Sequence, residues 1–395
     1  MSTTDRITEI QAMLREAGLD GWLLYDFRRS NILAYRILQL PPAGHATRRW
    51  FYWVPAQGDP VKIVSALEPG NLDTLPGEKT IYRSWRDLHA ALERVLPSPG
   101  AVAMEYSPLA AVPVVARVDA GTVELVRSFG VDVRSSADLV QAFEARLSPE
   151  QWASHQAASA ALLDAKRGVA AYMRDALQAG QPLSECSVQA WLERFLTERG
   201  LVAEHGAIVA VNAHASNPHF SPDPAHDTPI RPGDLVLIDY VTKLPQPGAI
   251  MADYTWMFYA GRDVPAEMAR IFSIDARARD AAIAFLRERV EAGQPVYGYE
   301  VDDVARGVIE AEGLGEYFVH RTGHNIGEDT HGNGANIDNL ETQDQRRLIP
   351  GILFSIEPGI YLPDFGVRTE VNVFIGYDGK VHVTGELPQA IEPLL

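Results

Sequence analysis

A chain of 395 residues exceeds one ordinary core, so two domains are expected, and 46% apolar with 22% charged residues excludes a disordered or low-complexity protein. Lys and Arg number 35 against 52 Asp and Glu, a formal charge of −17. Such a surface repels phosphate backbones and anionic lipid, so no nucleic-acid and no membrane partner is expected. The opening stretch sets Ile7, Ile10 and Leu14 at helical spacing and stops at Gly18. It reads as an amphipathic helix with no signal-peptide core, and the expected location is cytoplasmic. GWLLYDF at 21–27, RRWFYWVP at 48–55 and VKIVSAL at 61–67 then read as strands, and RDLHAALERVL at 86–96 as a helix. AVAMEY at 101–106 and the run ending in VDVRSS continue an α/β alternation.

A border follows at residue 147. Ser148-Pro149-Glu150-Gln151 has a helix start in order, with Ser as N-cap, Pro at the first helical position and Gln three residues after the cap. The Ala-rich helix it opens runs over roughly 149–179. A helix at 187–199 carries Val188, Trp191, Leu192, Phe195 and Leu196 on one face, and further helices are expected at 264–292 and 300–312. The runs DLVLIDY, YTWMFYAG, GILFSIEP and VRTEVNVFI read as strands. Strands with helices gathered around them give an α+β expectation for residues 148–395, behind a smaller α/β domain at 1–147.

Chemistry concentrates in the second part, where seven of the eleven histidines fall between 205 and 331. Asp239 closes the apolar run LVLID, and Asp253 opens a strand after a turn-rich insert, so a hairpin would bring the two together. Either acid alone reads first as a solvated turn residue. His320, His324 and His331 lie in a glycine-rich stretch that argues for strand and loop. Glu357 and Glu370 sit within apolar strand patterns, where a carboxylate needs a partner, and Arg368 can neutralise only one of them. Four carboxylates carry about −4 and two divalent cations +4, and a carboxylate-rich set with one imidazole suits Mn²⁺, Co²⁺, Fe²⁺ or Zn²⁺. One cysteine, Cys186, excludes a disulfide framework and a cysteine-based zinc site. The residues thus support a dinuclear hydrolase.

The segments NPHFSP at 217–222, PGDLVLIDY at 232–240, ADYTWMF at 252–258, HRTGHNIGEDTH at 320–331, SIEPGIY at 355–361 and GVRTEVNVFI at 366–375 together resemble the M24 "pita-bread" metallopeptidases. That family includes methionine aminopeptidase, aminopeptidase P and prolidase. VDDVAR at 301–306 also resembles it, and the likeness spans the whole second domain. The resemblance implies a pita-bread catalytic domain in which Asp239 chelates one metal, Asp253 and Glu370 bridge both, and His324 and Glu357 complete the other. It implies a hydroxide between two divalent ions, Mn²⁺ foremost, attacking the scissile carbonyl. His219 and His331 are the implied substrate-side histidines, and Glu357 the implied proton shuttle. His320 is implied to shape the substrate pocket, while Arg368 and Thr255 stand behind the ligands and orient them.

The separate N-terminal domain resembles the creatinase-like domain of prolidases and aminopeptidases P. Both classes cleave before proline, whose missing N–H and fixed φ exclude ordinary peptidases. The implied reaction is hydrolysis of Xaa-Pro dipeptides, with an Xaa-Pro aminopeptidase as the alternative and a homodimer as the expected assembly. A metal-free creatinase-like hydrolase and a peptidase-like interaction protein should each lack ligands that this chain keeps. Arg48 and Arg49 are candidates for the substrate carboxylate, since this domain usually caps a neighbouring subunit's site in the family. A solvated basic turn is the alternative for that pair. Arg321 stands where a Gly is common in the family, and Val371 where an acid often follows the last glutamate.

Overall fold

A computed structural model describes residues 3–41 and 46–395, and the chain divides into two units, Met1–Glu144 and Ala145–Leu395. The first unit runs α1 (Thr3–Glu16), β1 (Gly21–Asp26), α2 (Ile32–Ile37), β2 (Trp50–Pro55), β3 (Val61–Ser65), β4 (Glu78–Tyr82), α3 (Trp85–Val95), β5 (Gly100–Met104), α4 (Ala120–Ser128), β6 (Val131–Ser135) and α5 (Ala137–Val140). Its six-stranded mixed sheet has the order β4-β3-β2-β1-β5-β6. Alternate residues of β1 enter different apolar clusters, Trp22 and Leu24 on one face, Leu23 and Tyr25 on the other. Burial on both faces explains why β1 reads as one unbroken apolar run. α2, β4 and the four-residue α5 escape the sequence pattern. Six-residue α2 is too short for helical periodicity and is fixed by the Asn31 side chain accepting from the Ala34 amide. β4, EKTIY, is a largely exposed edge strand.

The second unit runs α6 (Pro149–Gln178), α7 (Glu185–Glu198), β7 (Ile208–Val211), β8 (Leu235–Thr242), β9 (Ala252–Tyr259), α8 (Ala266–Glu291), α9 (Gly298–Ala311), β10 (Leu353–Ile356), β11 (Gly359–Tyr361), β12 (Gly366–Arg368), β13 (Val371–Ile375), β14 (Val381–Thr384) and β15 (Glu392–Pro393). Ser148 and Ser184 open α6 and α7 through reciprocal capping boxes. The strands form a four-stranded sheet β15-β9-β8-β7, a three-stranded sheet β10-β13-β14 and the pair β11-β12. Two-residue alternation sorts the β8–β9 hairpin. Val236, Ile238, Tyr240, Tyr254, Trp256 and Phe258 pack with the apolar sides of α6 and α7. The opposite face carries Leu235, Leu237 and Met257 into the main core and, further along, Asp239, Thr255 and Asp253.

Two strands expected to be continuous are each interrupted. β10 pairs with β13 through Ile356 and Val371, and β11 pairs with β12 through Gly359 and Arg368. Between those pairs Glu357-Pro358 faces Thr369-Glu370. Pro358 has no N–H to give the ladder, so regular pairing stops there. Glu357 and Glu370 therefore lie at a break, and not in strand interiors. Asp239 differs the other way: β8 runs on to Thr242, so this acid is mid-strand and not terminal. Among the described residues, no helix is long and apolar enough to cross a membrane.

In the first unit, Glu105 is fully buried and accepts from Trp22 Nε1, from Asn31 Nδ2 at 2.7 Å and from Ser136 Oγ at 3.3 Å. Burial outweighs these donors and pushes its carboxyl up to about 7. The folded protein then keeps a proton that the unfolded chain releases above about pH 4.5, so stability falls as pH rises toward 7. Glu105→Gln should flatten that slope, worth about 3 kcal/mol at most, in urea denaturation at pH 5 and pH 8. An identical slope in the variant would assign the pH dependence elsewhere.

Candidate metal centre and substrate cavity

Four pieces of chain converge. The β8–β9 hairpin supplies Asp239 and Asp253, which share one face because Asp253 pairs with Val241, two residues from Asp239. The ladder break supplies Glu357 and Glu370. The segment 322–326 runs beside β10: Ser355 N donates to His324 O at 2.9 Å, Glu357 N to Thr322 O at 2.7 Å and Ile326 N to Leu353 O at 2.8 Å. Gly323 makes this approach possible, since a Cβ there would collide with the Ser355 carbonyl. α9 anchors the segment, with Asp302 accepting from the Thr322 amide at 2.9 Å and from its hydroxyl.

Asp253, His324 and Glu370 are all buried, and one donor atom from each lies within 4.8 Å of the others. His324 Nε2 is 3.2 Å from Glu357 Oε1 and 3.5 Å from Asp253 Oδ2. Its Nδ1 lies 3.2 Å from the Asn325 carbonyl, an arrangement that turns Nε2 toward the acids. Asp239 Oδ2 accepts from Arg368 Nη2, and Arg368 Nε donates to Thr255 Oγ1 at 2.9 Å. Thr255 passes its own hydroxyl proton to Glu370 Oε2 at 2.9 Å. The structure thus brings together Asp239, Asp253, His324, Glu357 and Glu370, with Arg368 and Thr255 behind them.

The charges do not balance. Four carboxylates against the Arg368 guanidinium leave 1 − 4 = −3 before the imidazole is counted. Burial, aided by Asp253 and Glu357 and opposed by Arg368, raises the Asp239 carboxyl. Burial and the same two neighbours raise Glu370 well above the carboxylate range. His324 goes up to about 9, because hydrogen bonds to Asp253 and Glu357 outweigh its burial. Glu357 is held low by that imidazole despite burial. Two oxygens, Asp239 Oδ1 and Glu370 Oε1, are buried with no hydrogen-bond partner among the described residues. Orphaned carboxylate oxygens in an over-negative, imidazole-bearing cluster are what a divalent cation satisfies. These residues fit a metal.

The cluster opens into a cavity of about 420 Å³, lined by His219, His320, His331, Arg321 and Arg368 besides Asp239, Asp253, His324 and Glu357. His219 and His331 are exposed on its wall, the His331 ring edge-on to His324 at 4.3 Å between centroids. His320 is fixed at both nitrogens, with Nδ1 2.6 Å from the Arg321 carbonyl and Nε2 2.7 Å from Tyr361 Oη. Burial lowers its pKa to about 4, so it stays neutral. Arg48 and Arg49 belong to the first unit, just ahead of β2. The Arg48 amide donates to Glu68 at 3.1 Å, and the Arg49 carbonyl accepts from Tyr82 at 2.8 Å.

Three supporting residues were not singled out by sequence. Asn372 clamps Asp253, accepting from its amide at 3.0 Å and donating to its carbonyl at 2.8 Å. Ser355 Oγ accepts from the His324 amide and donates to Glu357 Oε1, both at 2.9 Å. Tyr361 Oη receives Arg368 Nη1 at 3.1 Å. Asn372 and Ser355 are polar residues inside apolar strands, VNVFI and LFSI, and that mismatch is the signal that points to them.

The sequence profile of metallopeptidase family M24 matches residues 154–376, and the chain belongs to that family. It is 38% identical over 187 residues to a Mycobacterium tuberculosis protein carried under the name "Probable dipeptidase PepE", covering 46% of each chain. It is 33% identical over 210 residues to the Xaa-Pro dipeptidase of Lactobacillus helveticus, covering 52% of this chain and 51% of that one. These matches span about half the length of the curated relatives. The fold is similar to that of the dipeptidase PepE from Mycobacterium ulcerans, with a TM-score of 0.72 and 24% identity over 99% of this chain and 98% of that one. The second unit thus has the pita-bread fold of the family.

Two measurements check the electrostatics. Mn²⁺ at a hundred times its dissociation constant should stabilise the protein by about 2.7 kcal/mol, a rise in Tm of several degrees that chelator reverses; no shift would argue against a preformed metal centre. Arg368→Met, which leaves Asp239 without its counter-charge, should cost about 3–5 kcal/mol in chemical denaturation of the metal-free protein.

Proposed function

We propose that this protein is a metal-dependent dipeptidase that hydrolyses the Xaa-Pro bond, with two divalent ions held by Asp239, Asp253, His324, Glu357 and Glu370. The reading is carried by the buried donor set, in which four carboxylates and one imidazole leave two oxygens unsatisfied. Family membership supports the reaction class. The oxygen-rich ligands favour a hard ion, and Mn²⁺ is the proposed metal. When bound, the ions would supply a nucleophile at neutral pH and polarise the scissile carbonyl.

The chain's own residues do the rest. Asp253 and Glu370 would help hold the ions, their positions set by the Asn372 clamp and the Thr255 hydroxyl. Glu357 would carry the proton to the leaving nitrogen, steadied by Ser355. His219 and His331, on the cavity wall, would donate to the carbonyl oxygen as its charge develops. His320, locked in place and neutral, would shape the proline end. The cavity of about 420 Å³ suits a dipeptide, near the lower end of small-ligand sites. We propose a homodimer as the working assembly.

Mn²⁺-supplemented hydrolysis of alanyl-proline beside alanyl-prolyl-alanine tests the reading, with faster turnover expected for the dipeptide. Asp253→Ala and Glu370→Ala should each lose at least about a thousand-fold in kcat, since the whole clamp is removed. Retained turnover in either variant would refute the assignment of these residues as metal ligands.

A further inference from the structure

The cavity presents two guanidinium groups in opposite conditions. Arg368 is buried and engaged by Thr255, Tyr361, Asp239 and the Pro218 carbonyl through all three of its nitrogens. Arg321 lines the same cavity half-buried. Its guanidinium makes no hydrogen bond or ion pair among the described residues, though its charge reaches His331 on the same wall. That backbone is pinned from three sides. Its amide donates to Glu341 at 3.1 Å, its carbonyl meets His320 Nδ1 at 2.6 Å, and the next amide donates to Asp302 at 2.9 Å. A fixed main chain carrying an unspent cation into a substrate cavity is a prepared anion site.

The anion follows from the proposed reaction. A dipeptide is a zwitterion, and its ammonium end suits the acidic cluster. Its free carboxylate does not: the cavity is lined by Asp239, Asp253, Glu357 and Glu341, and a carboxylate taken out of water needs a paired donor. The planar guanidinium fork binds a carboxylate at two points. We propose that Arg321 grips the free α-carboxylate of the dipeptide's proline, and so selects dipeptides over longer chains whose next residue has no charge at that position. Arg321 is then a specificity residue, and this inference rests on the dipeptidase reading.

The test compares the Mn²⁺-loaded wild type with Arg321→Gln and Arg321→Lys on alanyl-proline and on its C-terminal amide. Arg321→Gln should raise KM for alanyl-proline about ten-fold or more, with kcat and the KM for the amide within about two-fold. Arg321→Lys, which restores the charge without the fork, should recover part of the loss. An unchanged KM for alanyl-proline, or an equal loss on both substrates, overturns the assignment. If the wild type turned over neither substrate, the dipeptidase reading itself would fail. The rise in Tm that alanyl-proline gives in the wild type and loses in Arg321→Gln then carries the test, and equal rises overturn it.

Discussion

Mutual repulsion among four carboxylates, two buried and two half-buried, is the constraint around which the second unit is built. Each is individually costly to remove from water, and together they exceed what the single Arg368 guanidinium can neutralise. Nothing in packing alone would gather them. They are held because each is fastened from behind: Asp253 by Asn372, Glu357 by Ser355, Glu370 by Thr255 and Asp239 by Arg368. Without a cation, hydrogen bonds to Asp253 and Glu357 draw His324 toward the charged state against its burial.

The apolar architecture keeps this arrangement possible. One face of the β8–β9 hairpin is pressed on α6 and α7 by aromatic and branched side chains, while the other changes from core to acid along a single strand. Strict two-residue alternation lets one strand serve both purposes, and a slip of one residue would send Asp239 and Asp253 into the helix layer. Gly323 does the equivalent for the histidine segment by permitting backbone contact with β10.

Much of this was legible before any coordinates. The helix start at Ser148 is local chemistry, and the apolar runs of β1, β2 and β8 announce themselves because burial on a strand dictates its residues. Asp239, Glu357 and Glu370 stand out as charges placed in apolar stretches, and His324 as one of a run of histidines in a glycine-rich segment. What escaped was set by distance in sequence. Nothing local says that Pro358 and Thr369 face one another, so two interrupted ladders read as two intact strands. The roles of Tyr361 and Asn372 depend on partners in other elements, and the exposed edge β4 carries too little apolar signal to be seen. The condition of Arg321 is the same kind of fact: that one cavity arginine is occupied and the other unspent is a property of the folded hydrogen-bond inventory alone.

The interrupted ladder also separates two demands on one stretch of chain. In an unbroken strand, alternation would decide which way a glutamate points, so any change in the core pattern would redirect it. At the gap opposite Pro358, Glu357 and Glu370 are released from that alternation, while Leu353, Phe354, Val371 and Val373 on either side remain wholly buried. The flanking strands can therefore exchange apolar residues to suit packing while the acids keep their aim. The interruption at the proline thus separates the aim of the acids from the packing of the core along the same few residues.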